Sequence, residues 1–470
     1  MYDWLLPRVV FPAYEALRGP SFWAEYHRLR DLEWRTPEEV GESSDARLRR
    51  IVRHAARNVP HHREAFRAAG LDAEEIRTAA DLVRLPTTTR SSLQRGDPAA
   101  VTAEELVARR GLPSRTSGST GVCLEFYGDT ACRAQAIGSY LFFLSWVGCA
   151  PWNPRVVVSA PAYAARGQHA RRAGWRAQAR RLLIGQENHY LAGADLCVND
   201  LQSLVGRLRR GYFIHGYPSY VIRLAAEMLE HELELPHYPA AVVSISETLT
   251  GANRTAIERA FRCPVVNHYS SVEVQHVAQS CPDSPSRLHV NSERAVVRVV
   301  DEEGRDAAPG TRGRVLITDL ANQVMPFINY DVGDTAIAGE PCSCGRGFPV
   351  LSGLEGRSME VIVTTQGRAV AAGAVERLLT FGCGITSRAW EYQAVQTAPD
   401  AVALRVVPNP RYDDAFAVDL RRQMGELLGS GMHVTVETVD RIALEPSGKR
   451  LVIKPLPREK ASVPASSEAS

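Results

Sequence analysis

Between residues 150 and 275 short β-rich runs alternate with helical stretches, and no other feature restricts the fold of this chain so much. "PRVVVSAP", "GYFIHGYPS", "AAVVSISE" and "CPVVNHYSS" read as strands, whereas "VIRLAAEMLEHEL" and "ANRTAIERAF" read as helices. Two parallel strands need a long crossover, usually a helix. The alternation therefore predicts an α/β fold with parallel sheets flanked by helices. Ligands of such sheets gather at the carboxyl ends of the strands, where these runs carry their polar residues. Upstream, "DARLRRIVRHAARNVPHHREAFRAAG" has helical apolar spacing and a break at Pro60, which predicts helices over 40–110. Downstream, "RAVVRVVDEEGRDAAPGTRGRVLITDL" reads as a β-rich module with turns at Glu303-Gly304 and Pro309-Gly310. After Gly356 the pattern becomes a small α+β unit, and the tail "PREKASVPASSEAS" has a disordered composition. A chain of 470 residues exceeds one ordinary core. The expected division is a large N-terminal domain (1–356), a small C-terminal α+β domain (357–456) and a disordered tail (457–470).

Bulk composition argues against several classes. The 55 basic and 53 acidic side chains leave a net charge of +2, so no global field favours nucleic acid. No apolar run reaches the length of about 18 residues that a transmembrane segment needs. The opening "MYDWLLPRVVFPAYEALRG" carries Asp3 and Pro7 where a secretory signal needs a basic start and an unbroken apolar stretch. It reads instead as an apolar segment packed on the main body. Nine cysteines, odd in number and mostly scattered, argue for a reducing compartment, with the cytoplasm as the default. Cys123, Cys132, Cys149, Cys197, Cys263 and Cys383 read as small buried hydrophobes.

The stretch "SRTSGSTGVCLEFYGD" is poor core material, since Thr116-Ser117-Gly118-Ser119-Thr120-Gly121 has no apolar face. It suits an oxyanion: glycines let backbone N–H groups point at the anion, and hydroxyls add donors. It is not a Walker loop, because GxxxxGK[ST] requires a lysine that this loop lacks. Taken alone, the loop also fits a flexible Ser/Gly connector.

Four more segments give the loop its meaning: "NHYSSVE" (Asn267–Glu273), "NYDVGD" (Asn329–Asp334), "LEGRSMEVI" with Arg357, and "LEPSGKR" with Lys449. In this order the set resembles the adenylate-forming superfamily of acyl-CoA synthetases and adenylation domains, and within it the phenylacetate–CoA ligase family and its capsule-associated relatives. The resemblance runs from about residue 5 to 456 and includes "HAARNVPHHREAF", "ADLVRLPTTTRSSL" and "HGYPSYVIRLA". It implies ATP-dependent activation of a carboxylate: the acid attacks the α-phosphate, pyrophosphate leaves, and an acyl-adenylate forms. On that reading Thr116–Gly121 holds the departing phosphates, and Asp334 accepts hydrogen bonds from the ribose hydroxyls, with Arg357 as a further ribose donor. Tyr269 lies against the adenine, with Ser246-Glu247 on its other side. Glu273 holds Mg²⁺, a hard cation that prefers carboxylate oxygen. Lys449 bridges the acyl carboxylate and the α-phosphate from a mobile C-terminal domain, while Tyr217, Pro218 and Ser219 line the acyl pocket. Two departures stand in the family's Tyr-Gly-x-Thr-Glu pattern, Ser270 for glycine and Val272 for threonine, and Met359 occupies the hinge position.

Cys281, His289, Cys342 and Cys344 offer three thiolates and one imidazole, a closed set of the kind that holds structural zinc. The resemblance adds that some relatives carry a metal in this region. The contrary reading is four reduced residues that never meet.

The activity so implied is an AMP-forming acid–thiol ligase, acting on an aryl or arylacetic acid and passing the acyl group to coenzyme A. One alternative keeps adenylation but transfers to a carrier-protein phosphopantetheine or to an amine. Another is a non-catalytic nucleotide-binding homologue, which the departures at Ser270, Val272 and Met359 would suit. The basic run "RGQHARRAGWRAQARR" reads as a solvated helix face, and a homodimer is left open.

Overall fold

The computed structural model describes residues 9, 22–94, 98–103, 105–107, 111–115, 124–150, 152–159, 188–191, 196–208, 211–357, 361–372, 375, 378–379, 383–385, 388–443 and 451–456. Thr116–Gly121, Cys123, the basic run 166–181, Met359, Lys449, the tail 457–470 and almost all of the first 21 residues lie outside the described residues, as does the side chain of Arg357.

The helical start follows the sequence spacing. Helices α1 (Phe22–Leu32), α2 (Pro37–Asn58) and α3 (Pro60–Ala68) come first. Thr36 and Glu39 form a capping box at α2: Glu39 N donates to Thr36 Oγ1 (3.3 Å) and Thr36 N to Glu39 Oε2 (3.0 Å). Val59, at φ −120°, ends α2 and starts α3, so Pro60 sits at the first helical position, where its missing N–H costs nothing. Leu48, Ile51, Val52 and Phe66 of α2 and α3 pack on Leu320 and Ile328.

Strands β1 (Leu112–Arg115) and β2 (Glu125–Gly128) pair antiparallel, with Arg115 opposite Glu125, so the two ends of the 116–123 segment are neighbours. Helix α4 (Thr130–Ser145) begins where Cys132 N donates to Asp129 Oδ1 (2.7 Å). The expected alternation follows: β3 (Arg155–Val158), β4 (Asn188–Leu191), α5 (Val198–Val205), β5 (Phe213–Gly216), α6 (Pro218–Glu230), β6 (Val242–Ile245), α7 (Gly251–Phe261) and β7 (Val265–Tyr269). Neighbouring strands from β3 to β7 are parallel. The side chains of β5, β6 and β7 are buried on both faces, as inner parallel strands require, whereas the edge strand β4 is half-buried.

The chain continues through β8 (Ala278–Ser280), β9 (Leu288–Val290), β10 (Ala295–Val300), β11 (Arg312–Asp319), β12 (Tyr330–Ala338) and β13 (Val350–Arg357), all joined antiparallel. The β-rich stretch is therefore not a layer of its own. It extends the parallel strands into one 11-stranded sheet of order β10-β11-β12-β13-β9-β8-β7-β6-β5-β3-β4.

After Arg357 come β14 (Val361–Val363), β15 (Ala369–Ala371), β16 (Ala389–Ala398), β17 (Ala401–Pro408), α8 (Asp414–Leu428), β18 (His433–Thr438) and β19 (Ile453–Lys454). A four-stranded sheet of order β18-β17-β16-β19 carries α8, and its core of Ile362, Leu379, Leu404, Leu420, Met424 and Ile453 draws on residues after Arg357 alone. Among the described residues no helix is long and apolar enough to cross a membrane. Cys132, Cys149 and Cys263 are buried as expected, whereas Cys197 and Cys383 are only half-buried.

Candidate active site

The carboxyl ends of β5, β6 and β7 bring the candidate residues together. After β6, Glu247 N donates to Ile245 O (2.8 Å), closing a γ-turn whose central residue, Ser246, stands at φ +68°. That conformation costs a non-glycine residue about 1–3 kcal/mol, so the surrounding structure must hold it. It aims Glu247 at the start of α6. There Ser219 N donates to Oε2 (3.0 Å) and Ser219 Oγ to Oε1 (3.1 Å). Tyr217 offers α6 no side-chain cap, and the carboxylate supplies that need at the positive end of the helix dipole. Of the three residues expected to line the acyl pocket, Tyr217 and Pro218 are buried and Ser219 is engaged by Glu247. Gly216 permits the crowding: a Cβ there would stand 2.9 Å from Val158 O and 2.7 Å from Val221 Cγ2.

On the nucleotide side, Tyr269 OH at the end of β7 donates to Asp334 Oδ2 (2.7 Å). Asp334 lies opposite Arg357 in the β12–β13 register, following Gly333 at φ +79°. Three of the positions expected at adenine and ribose, Tyr269, Asp334 and Arg357, are thereby adjacent. Ser270, the departure from glycine, accepts His276 N on its Oγ (3.1 Å), and Val272 points to solvent at 43% exposure.

Glu273 is buried, and its Oε1 accepts from Arg90 Nη2 (2.9 Å) and Tyr330 OH (3.0 Å). Burial and the Glu273 charge push the Tyr330 phenol up, so it remains a donor. Oε2 has no hydrogen-bond partner among the described residues, and one carboxylate oxygen thus suits a hard cation.

Cys281, His289, Cys342 and Cys344 do meet: their ligand atoms all lie within 4.8 Å of one another. Cys342 Sγ is 3.9 Å from Cys281 Sγ, and Cys344 Sγ is 3.3 Å from His289 Nε2. A tetrahedral zinc with Zn–S of about 2.3 Å separates two thiolates by about 3.8 Å, so the set fits. Burial holds His289 down to about 4, which leaves the imidazole neutral, the form that binds metal. Arg346 braces the Cys344 loop: its Nε is 2.9 Å from Glu33 Oε1, its Nη1 3.1 Å from Asp283 Oδ2, and it stacks over Trp34 and Trp146.

Sequence reasoning missed Arg90 and Tyr330, as well as a polar cluster of Tyr140, Arg155, His215, His268 and His276. His215 and His268 sit inside strand motifs that read as apolar, so only their positions next to Tyr217 and Tyr269 could have drawn notice.

No family model matches the sequence. The chain nonetheless has the fold of solved coenzyme A ligases, and it is similar in sequence to phenylacetate–coenzyme A ligases and CapK. It is 21% identical to CapK of Staphylococcus aureus, over 91% of each chain. It is 25% identical to the phenylacetate–coenzyme A ligase of Thermus thermophilus, over 71% of this chain and 74% of that one. The crystal structure of 2-hydroxyisobutyryl-CoA ligase, in the postadenylation state with its acyl-AMP, has the same fold: TM-score 0.72, 20% identity and 94% of each chain covered.

Proposed function

We propose that the protein activates a carboxylic acid with ATP and passes the acyl group to coenzyme A. The observation that carries the reading is the convergence of Tyr269, Asp334 and the Arg357 position, with Glu273 four residues beyond Tyr269 in sequence. The acid's oxygen attacks the α-phosphorus, and the bond to pyrophosphate breaks. The coenzyme A sulfur then attacks the acyl carbon, and AMP leaves. Thr116–Gly121 would hold the departing phosphates, since β1 and β2 bring the ends of that loop together. Asp334 would accept the ribose hydroxyls, Arg357 would add a donor, and Glu273 would offer Oε2 to magnesium. Lys449 would offset charge that grows on the α-phosphate during attack. The acid would be an aryl or arylacetic one, received near Tyr217, Pro218 and Ser219.

The domain boundary would fall at about 356/357, beside the last residue of the large sheet, Arg357, and ahead of the small sheet's core, which starts at Ile362. Zinc at Cys281, His289, Cys342 and Cys344 would tie β8 and β9 to the β12–β13 connection and supply no open coordination position. Carboxylate-dependent exchange of labelled pyrophosphate into ATP tests the first half-reaction, and release of AMP on adding coenzyme A tests the second. Exchange with no acid overturns the reading. Exchange followed by AMP release only with an amine or a carrier protein would move the acceptor.

A further inference from the structure

Beneath the strand ends lies a polar cluster whose hydrogen bonds run in a fixed direction. His215 in β5 stands level with Val243 of β6 and Val266 of β7, and His268 follows two residues after Val266. The two histidines thus share one sheet face. Tyr140 of α4 covers that face, its ring 5.6 Å from His215, 5.6 Å from His268 and 5.0 Å from His276. His276 reaches the cluster from the loop after β7 at φ +58°, its amide on Ser270 Oγ.

The neighbours assign the protons. Gln279 Nε2 donates to Phe143 O (2.7 Å), so its Oε1 faces His268 Nδ1 (3.1 Å), and that nitrogen carries hydrogen. Burial holds His268 down to about 4, hence neutral, and its Nε2 accepts from His276 Nδ1 (2.8 Å). Burial keeps His276 neutral too, which makes its Nε2 an acceptor. On the other limb Arg155 Nη1, a donor only, faces Tyr140 OH (3.4 Å), and the Tyr140 proton goes to His215 Nδ1 (2.6 Å). Neutral His215 then carries its hydrogen on Nε2.

Neither His215 Nε2 nor His276 Nε2 has a hydrogen-bond partner among the described residues, and His276, Tyr140 and Arg155 keep part of their surface open. The cluster therefore ends in one donor and one acceptor. A hydroxyl group placed between them would satisfy both, accepting from one imidazole and donating to the other.

We propose that His215 and His276 recognise a hydroxyl group on the acid, so that the substrate is a hydroxylated carboxylic acid. This rests on the acid-activating reading and deepens it. A hydrocarbon acid would leave two polar edges unpaired, and a site built to bond a hydroxyl rejects the analogue lacking it strongly. A dicarboxylate fits poorly, because a second carboxylate has no proton for the His276 lone pair.

The test uses the full chain and acids paired by one hydroxyl: the three hydroxyphenylacetates against phenylacetate, the three hydroxybenzoates against benzoate, and 3-hydroxybutyrate against butyrate, with succinate as a dicarboxylate. Pyrophosphate exchange and calorimetric binding are read for each. The hydroxylated member of at least one pair should lead by roughly 30-fold or more in kcat/KM. Tyr140→Phe removes the hydroxyl that sets the His215 tautomer, and His276→Phe removes the acceptor. Each should shrink that ratio to roughly threefold or less, and Tyr140→Phe is the milder change should the other fail to fold. Exchange with no hydroxyl preference, a preference that survives both variants, or succinate as the best acid overturns the proposal and leaves acid activation standing. Hydroxyl-selective binding without exchange for any acid keeps the recognition and overturns the activation. Neither binding nor exchange overturns both.

Discussion

Asp334 receives the Tyr269 hydroxyl at 2.7 Å, and on the proposed reading its carboxylate would also accept from the ribose hydroxyls. Asp334→Asn turns one acceptor oxygen into a donor. Hydrogen bonds to a charged partner are worth about 1.5–3 kcal/mol, so the KM for ATP in pyrophosphate exchange should rise roughly 10- to 100-fold. Tyr269→Phe removes only the bond that orients the carboxylate, and the rise should be about fivefold, near 1 kcal/mol. An unchanged KM in both variants would remove Asp334 from the ribose. Glu273 carries a different balance. Its Oε1 is shared by Arg90 and Tyr330, and the Glu273 side chain is 5% exposed against 22% for Arg90. Glu273→Gln keeps the volume but leaves Arg90 facing a neutral amide. Exchange should fall about 100-fold with a weaker response to added magnesium. If the pair is only structural, stability will fall while the magnesium titration keeps its midpoint.

The four candidate metal ligands come from two separate stretches of chain: Cys281 just after β8 and His289 within β9, then Cys342 and Cys344 between β12 and β13. An ion there would cross-link neighbouring strands within the large sheet, where β13, β9 and β8 lie side by side. We expect about one equivalent of zinc in protein purified without a His tag. Cys344→Ser should lose the zinc and lower the unfolding temperature by several degrees, while the KM for ATP stays within about threefold, because no ligand of the set touches the nucleotide side. Zinc-free protein with an unchanged melting curve would end the assignment. This element also shows what a single sequence discloses. The four residue types and their order pointed to a tetrahedral set, but only the register of β8, β9 and β13 shows that they meet. The parallel strands were legible because burial on both faces writes an unbroken apolar run. The continuity of the large sheet was not, because antiparallel strands with one wet face look alike whether they extend a sheet or begin one. His215 and His268 stayed hidden for a related reason: a neutral, hydrogen-bonded imidazole inside a strand leaves no periodic trace, and His276 lies in a loop with no period at all.

At the scale of the whole molecule, burial of histidine sets the acid limit of the fold. His62, bonded to Pro326 O at 2.9 Å, and His268 are both held down to about 4 by burial, and His215 and His276 are held well below their ordinary value. In the unfolded chain these groups protonate near 6.5, so between pH 6.5 and 4 the unfolded state binds more protons. Stability is therefore fully present above pH 6.5 and is lost as the pH falls through that window, by up to about 1.4 kcal/mol per pH unit for each histidine. Urea midpoints at pH 7.5 and 5 should differ widely, and equal midpoints would contradict the buried, neutral assignment. The second consequence of scale concerns Lys449. Ile453 pairs with Ala394 of β16, so the chain four residues after Lys449 is fixed to the small sheet, within about 14 Å of the lysine by backbone reach. Lys449 must accompany that sheet wherever it moves. If the small domain turns between the half-reactions, the lysine serves adenylation and is absent from thioester formation. Lys449→Ala should lower pyrophosphate exchange about 100- to 1000-fold, the cost of one preorganised donor. Thioester formation from a supplied acyl-adenylate should stay within about threefold of the parent. Equal loss in both steps would mean that the lysine stays at the site throughout, and that the two halves of this molecule do not divide the reaction between them.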